Sequence, residues 1–159
     1  MMKIARLLAG LACAGVVLLT PVPVAAEEVI NDYQVDIEVV EDGSLDITEQ
    51  ILLTAEGNQV VHGINREIPL SFNTADGRRA RSVLTVLDIE RDGEPEHYEV
   101  FENSRGAVIR IGSSHVELEP DDYLYNIRYQ VNRVISHAGE HDRLIWNVNG
   151  NEGGFPINA

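Results

Sequence analysis

Cysteine is almost absent. Cys13 stands alone, inside an N-terminal apolar run, so no internal disulfide is available and a packed core must carry stability. Gly10, three places before it, is not the large aliphatic residue a lipoprotein signal requires, which argues against lipidation. Basic residues are scarce as well. The chain of 159 residues holds 12 Lys and Arg against 26 Asp and Glu, a net charge of −14. So acidic a surface speaks against nucleic acid or an anionic bilayer as partner, because phosphate contacts need Lys and Arg. Also missing are a G-x-S-x-G elbow, a glycine loop for phosphate and a cysteine nucleophile. Beyond the N-terminal run there is no apolar stretch of the roughly 20 residues a membrane helix requires. Sustained 3.6-residue periodicity, internal repeats and low-complexity tracts are absent too.

What is present begins with a three-part leader. Lys3 and Arg6 precede an apolar run from Leu7 to Leu19, Thr20, Pro21 and Pro23 break it, and Val24-Ala25-Ala26 offers small residues for cleavage. This reads as a helical signal peptide over residues 1–26, with the mature chain starting near Glu27 and working outside the cytoplasm. Without Lys3 and Arg6 the remainder carries 10 basic and 26 acidic residues, a charge near −16. Residues 27–159 are enough for one domain with its own core.

Alternation with a period of two dominates that domain. Tyr33, Val35, Ile37 and Val39 share one strand face; Glu41-Asp42-Gly43-Ser44 makes a hairpin turn; Leu45, Ile47, Ile51 and Leu53 face one way on the return strand. After a turn-rich stretch around 73–81, Val83, Thr85, Leu87 and Ile89 begin another strand, and Asp92-Gly93 signals a second hairpin. Tyr98 to Phe101, Val108 to Ile111, and Tyr123 to Val131 are further strands, with a final one from Leu144 to Val148. Tyr125, Ile127, Tyr129 and Trp146 are assigned to the core. Many short strands with regular turns predict an all-β, antiparallel β-sandwich.

Few residues suggest chemistry. His137-Ala138-Gly139-Glu140-His141 matches the H-x-x-E-H string of zinc hydrolases. That arrangement requires a helix to bring both histidines to one metal, yet Gly139 and flanking strands oppose a helix here. A metal-dependent hydrolase using His137, Glu140 and His141 is therefore the alternative reading, and a looser metal site at His137, His141 and Asp142 a lesser one. The acidic groups Glu41-Asp42 and Glu119 to Asp122 lack the ligand spacing of a calcium loop. No catalytic, cofactor or metal residues are assigned. Glu49 is more informative, because it shares a strand face with Ile47 and Ile51, and a buried carboxylate needs a partner. Arg66 is the candidate, in a loop containing His62 and Gly63. Glu49, His62, Gly63 and Arg66 are thus read as a structural pair or an interaction loop.

The order of these motifs resembles the N-terminal extracytoplasmic domain of the YciQ-like bacterial predicted membrane proteins, domain of unknown function 2207. The residues that carry the resemblance are the Tyr33-to-Glu49 hairpin, His62-Gly63-Ile64-Asn65-Arg66 with Ile68-Pro69, Ile111-Gly112, Tyr125 to Tyr129, and Leu144 to Gly150 with Pro156-Ile157. Two features depart from the family pattern. Gly153-Gly154 stands where an aromatic residue is usual, and members continue into transmembrane helices whereas this sequence stops at Ala159. The expectation is either a fragment of a membrane protein or a free-standing secreted version. The resemblance implies a membrane-tethered extracytoplasmic domain, and it supplies no catalytic residues. The resulting expectation is a non-enzymatic binding or interaction module without cofactor, whose partner is a protein or ligand of the cell envelope.

Overall fold

A computed structural model describes residues 27–74, 77–138, 141–144, 146–147 and 155–158. The signal-peptide expectation over residues 1–26 lies outside these. The fold is all-β, and every strand–strand ladder is antiparallel. In chain order the strands are β1 (Val29–Val39), β2 (Leu45–Ala55), β3 (Ile64–Pro69), β4 (Ser71–Asn73), β5 (Arg79–Arg81) and β6 (Leu84–Arg91). They continue with β7 (Glu94–Pro95), β8 (Tyr98–Glu102), β9 (Gly106–Ile111), β10 (Asp121–Val131), β11 (Ile135–Ala138) and β12 (His141–Leu144). One sheet runs β1-β2-β10-β6-β7, a second β3-β9-β8, and β4-β5 and β11-β12 form two small ladders. Among the described residues no helix is long and apolar enough to cross a membrane.

The turns form for local reasons. Gly43 takes a φ of 79°, and the Asp42 carboxylate accepts bonds from the Ser44 amide (2.9 Å) and hydroxyl (2.6 Å). Asp92 and Gly93 both have positive φ, 55° and 82°, as a two-residue hairpin with the right twist demands.

β2 is the central element, lying between β1 and β10. Its inward face, Leu45, Ile47, Glu49, Ile51, Leu53 and Ala55, is buried throughout. β10 answers with Tyr125, Ile127, Tyr129 and Val131, all at 0% exposure. Ile68, Ala107, Ile109 and Ile111 from the three-stranded sheet join the same apolar cluster. Burial of this size supplies the main drive to fold, since no disulfide contributes.

Two strands differ from the sequence reading. Of Val83, Thr85, Leu87 and Ile89, which begin the strand in the sequence, only Ile89 is buried. The β6–β10 register jumps between Arg128 and Tyr129, pairing Asp88 with Arg128 and Val86 with Tyr129, so Leu87 has no residue opposite it. This bulge turns Leu84 and Val86 inward before it and Ile89 inward after it, and leaves Leu87 45% and Val83 50% exposed. The last strand is likewise displaced. β12 ends at Leu144, which pairs with Ile135, and Trp146 leaves the ladder to pack half-buried against the core. Ile145 and Val148 lie outside the described residues. Pro156 to Asn158 return to β1, where the Ile30 amide donates to Pro156 O and the Asn158 amide to Ile30 O, both at 2.9 Å.

Candidate functional site

The Glu49 side chain has no solvent exposure, and Arg66 retains 7%. Arg66 Nε donates to Glu49 Oε2 at 2.6 Å and Nη2 to Oε1 at 2.9 Å, a two-pronged clamp. The same guanidinium donates through Nη1 to Glu67 O at 2.9 Å. Tyr129 Oη supplies a third donor to the carboxylate, reaching Oε1 at 2.5 Å. The β-register explains why Tyr129 arrives there. Ile127 lies opposite Glu49, so Tyr129 is the diagonal neighbour on the same face. On the other flank Val35 lies opposite Glu49 and Tyr33 is the diagonal neighbour. Burial first, and the Glu49 charge second, raise the phenol pKa values of both Tyr129 and Tyr33 above the ordinary range. Burial works against the Arg66 charge, but hydrogen bonds and attraction from Glu49 outweigh it and raise its pKa. The centre is thus a carboxylate–guanidinium–phenol network whose charges are matched, with Glu49, Arg66 and Tyr129 buried.

Outside this network the loop opens to solvent. Gly63 (φ 133°) and Gly112 (φ 112°) pass each other so closely that a Cβ on either would stand 1.9 Å from a carbonyl oxygen, that of Ile111 or His62 respectively. No side chain fits there. His62 is exposed, and its Nδ1 lies 2.9 Å from Val116 O. Together these segments border a recess of about 400 Å³, lined by Gln59, His62, Asn65, Arg110 and Ser114 among others. Among the four residues singled out in the sequence, Glu49 and Arg66 meet within the core, while His62 and Gly63 line the outer recess.

Glu28 was not anticipated. It is 4% exposed, and its carboxylate accepts the amides of Glu56, Asn58, Gln59 and Val60 at 2.8–3.3 Å. Burial alone would raise its pKa, but the four backbone donors prevail and hold it below the ordinary carboxylate value. Glu28 thereby ties the N-terminal strand to the loop that leads into the recess. A carboxylate at position 28 carries no local mark of such a role, and neither Gly112 nor Tyr129 is marked as a partner before the strand register is known.

Of the H-x-x-E-H string, 137 and 138 end β11 and His141 begins β12, while Gly139 lies outside the described residues. Position 137 opposes Asp142 and position 138 opposes His141, so 137 and 141 belong to successive pairs of the ladder rather than to one pair. His141 is exposed, and Glu140 lies outside the described residues. Among the described residues no group of three or more His, Cys, Asp or Glu is placed to hold a metal ion.

Comparison with known proteins bears on identity. The chain is 35% identical over 131 residues to the uncharacterized protein YciQ of Escherichia coli (strain K12), a match covering 82% of this chain. The chain spans about a fifth of that relative's length, 21%. Two solved structures of yeast LTA4 hydrolase, one native and one with bestatin, align with TM-scores of 0.43 and 0.44. Their identities are 14% and 13%; the alignments cover 67% and 65% of this chain and 15% and 14% of theirs. The family model described as the predicted membrane protein (DUF2207) N-terminal domain matches residues 29–159, and the chain belongs to that family.

Proposed function

We propose that this chain is an extracytoplasmic, non-enzymatic binding module of the cell envelope, built as a β-sandwich and membrane-tethered in its longer relatives. The sandwich reading is supported by the shared core of the β1-β2-β10-β6-β7 and β3-β9-β8 sheets, and by the Glu49–Arg66 pair, which links β2 to β3. The leader over residues 1–26 supports export. One observation carries the binding role. The segment from His62 to Pro69, expected as a loop, is strand β3 from Ile64 onward; an ion pair fixes it from inside, while His62, Gly63, Ile64 and Asn65 help frame a recess of about 400 Å³ with mixed polar and apolar walls. That volume lies within the range of small-ligand and side-chain pockets, and a rigid recess loses little entropy on being filled.

The test is site-specific photocrosslinking in intact cells. A photoreactive residue at Ser114, on the recess, should give a discrete adduct that weakens several-fold when His62 is also changed to Ala. The same probe at Glu38, exposed at the end of the β1–β2 ladder opposite the 56–60 loop, should give none. Equal labelling at both positions, or none at Ser114, would remove the recess as the binding surface. The hydrolase alternative has its own readout. Stoichiometric zinc in the purified chain, lost in a His137→Ala, His141→Ala double variant, would replace the binding module with a metalloenzyme.

A further inference from the structure

The β3–β9 ladder has a second recess at its opposite end. Ile64 pairs with Ile111 beside His62, and Pro69 pairs with Gly106 at the other end, roughly 17 Å away at strand spacing. This recess measures about 240 Å³, and both Arg79, on β5, and Arg105, in the β8–β9 turn, line it. Acidic residues outnumber basic ones by 26 to 12, so an arginine easily finds a carboxylate. Arg66, Arg81, Arg91, Arg110 and Arg128 do so. Arg79 and Arg105 have no carboxylate within 4.0 Å among the described residues, and they converge on one cavity from two separate elements.

The turn that carries Arg105 is held by several hydrogen bonds. Asn103 Oδ1 accepts the amides of Arg105 (2.8 Å) and Gly106 (3.0 Å), and Arg105 O accepts those of Leu70 and Ser71, both at 3.2 Å. Arg81 clamps the same turn through the carbonyls of Asn103 (2.8 Å) and Gly106 (3.3 Å). At Gly106 a Cβ would meet Ile68 O at 2.1 Å, so the turn and β3 approach as closely as backbones can. Two arginines that line one cavity can bring two guanidinium groups to one phosphate or carboxylate.

Glu67 also lines the cavity, and it decides the rest of the ligand. A carboxylate in the same recess repels a second negative charge and accepts hydrogen bonds from hydroxyl groups. The acidic surface elsewhere opposes extended polyanions and anionic bilayers. We propose that this recess binds a small, hydroxyl-bearing phosphate or carboxylate, with Arg79 and Arg105 holding the anionic group and Glu67 a hydroxyl. This site is separate from the recess at His62 and does not depend on it.

Glycerol 3-phosphate titrated into the full chain is the probe, read by calorimetry and by the arginine Nε–H signals in NMR. Saturable binding is expected, weakened about tenfold or more by either Arg79→Ala or Arg105→Ala, since each removes a charge-assisted contact. Arg133→Ala, another exposed arginine outside the recess, should leave affinity unchanged. All three side chains are exposed, so the variants should melt with the parent, and melting curves check this. Failure to saturate by roughly 10 mM probe, or equal weakening by Arg133→Ala, overturns the site. A vesicle arm separates the sources of the phosphate. Binding to phosphatidylglycerol vesicles that depends on Arg79 and Arg105 and exceeds that to the free probe would overturn the small-ligand assignment in favour of a lipid headgroup.

Discussion

Three donor contacts converge on the Glu49 carboxylate, two from Arg66 and one from Tyr129, so no part of this centre changes without leaving another part unmatched. Removing one partner of a buried ion pair strands the other charge at a cost of about 3–5 kcal/mol. Glu49→Gln and Arg66→Met should each destabilise by that order, a large share of a domain's total of roughly 5–15 kcal/mol. The double variant should cost clearly less than the sum of the two. Denaturant unfolding of all four proteins measures the coupling, and additivity within about 0.5 kcal/mol would mean that the two residues do not interact. Glu28 provides the pH-dependent counterpart. Its folded pKa lies below the ordinary 4.5, so its stabilisation is complete above that value and is lost as pH falls through the folded value. Glu28→Ala should therefore cost about 1–3 kcal/mol near neutrality and progressively less in acid. Chemical denaturation from pH 7 down to pH 3 would show it. A constant difference across that range would mean that the carboxylate charge does not hold the 56–60 loop.

Strand patterning in this chain is regular except where an element changes phase. β2 keeps strict alternation along its whole length and β10 from Tyr123 onward, and their facing residues form the most deeply buried part of the core. β6 breaks alternation at Leu87, and the bulge has a sharp consequence for substitution. Leu87→Ser should alter stability by no more than about 0.5 kcal/mol, whereas Ile89→Ser, two residues on, should cost about 2–4 kcal/mol. Thermal or denaturant melts of the two variants decide it. Similar losses at both positions would restore the uninterrupted face that simple alternation suggests. β3 and β9 show a different constraint. Their ends cross so tightly at Gly63 and Gly112 that backbone alone fills the space, and the recess beyond them keeps its shape for that reason.

For the whole molecule, the expected leader and the charge balance reach furthest. If residues 1–26 are removed on export, the new terminus stands one residue before Glu28, whose carboxylate is already committed to the 56–60 loop. The expected mature N-terminus is Glu27, read by intact-mass and N-terminal peptide analysis of protein from the cell envelope. Retained Met1 in that material would contradict cleavage. Much of the architecture was legible beforehand. The inward faces of β2 and β10, the turns at Gly43 and Gly93, and the all-β class follow from side-chain alternation and turn chemistry, which act between near neighbours and so leave their mark in the local sequence. Glu49 could be recognised as needing a partner because its own strand placed it among apolar residues. Other features were hidden: the Tyr129 donor, the Glu28 tie, the displaced face of β6 and the pairing of Gly63 with Gly112. Each depends on residues brought together from distant parts of the chain, as when Glu49 meets Tyr129 across 80 positions. Strand register alone sets those meetings, and a shift of one residue would exchange every partner. Composition and local pattern thus determined the element types and which residues had to be buried; the tertiary structure decided which charges matched and where the two recesses opened.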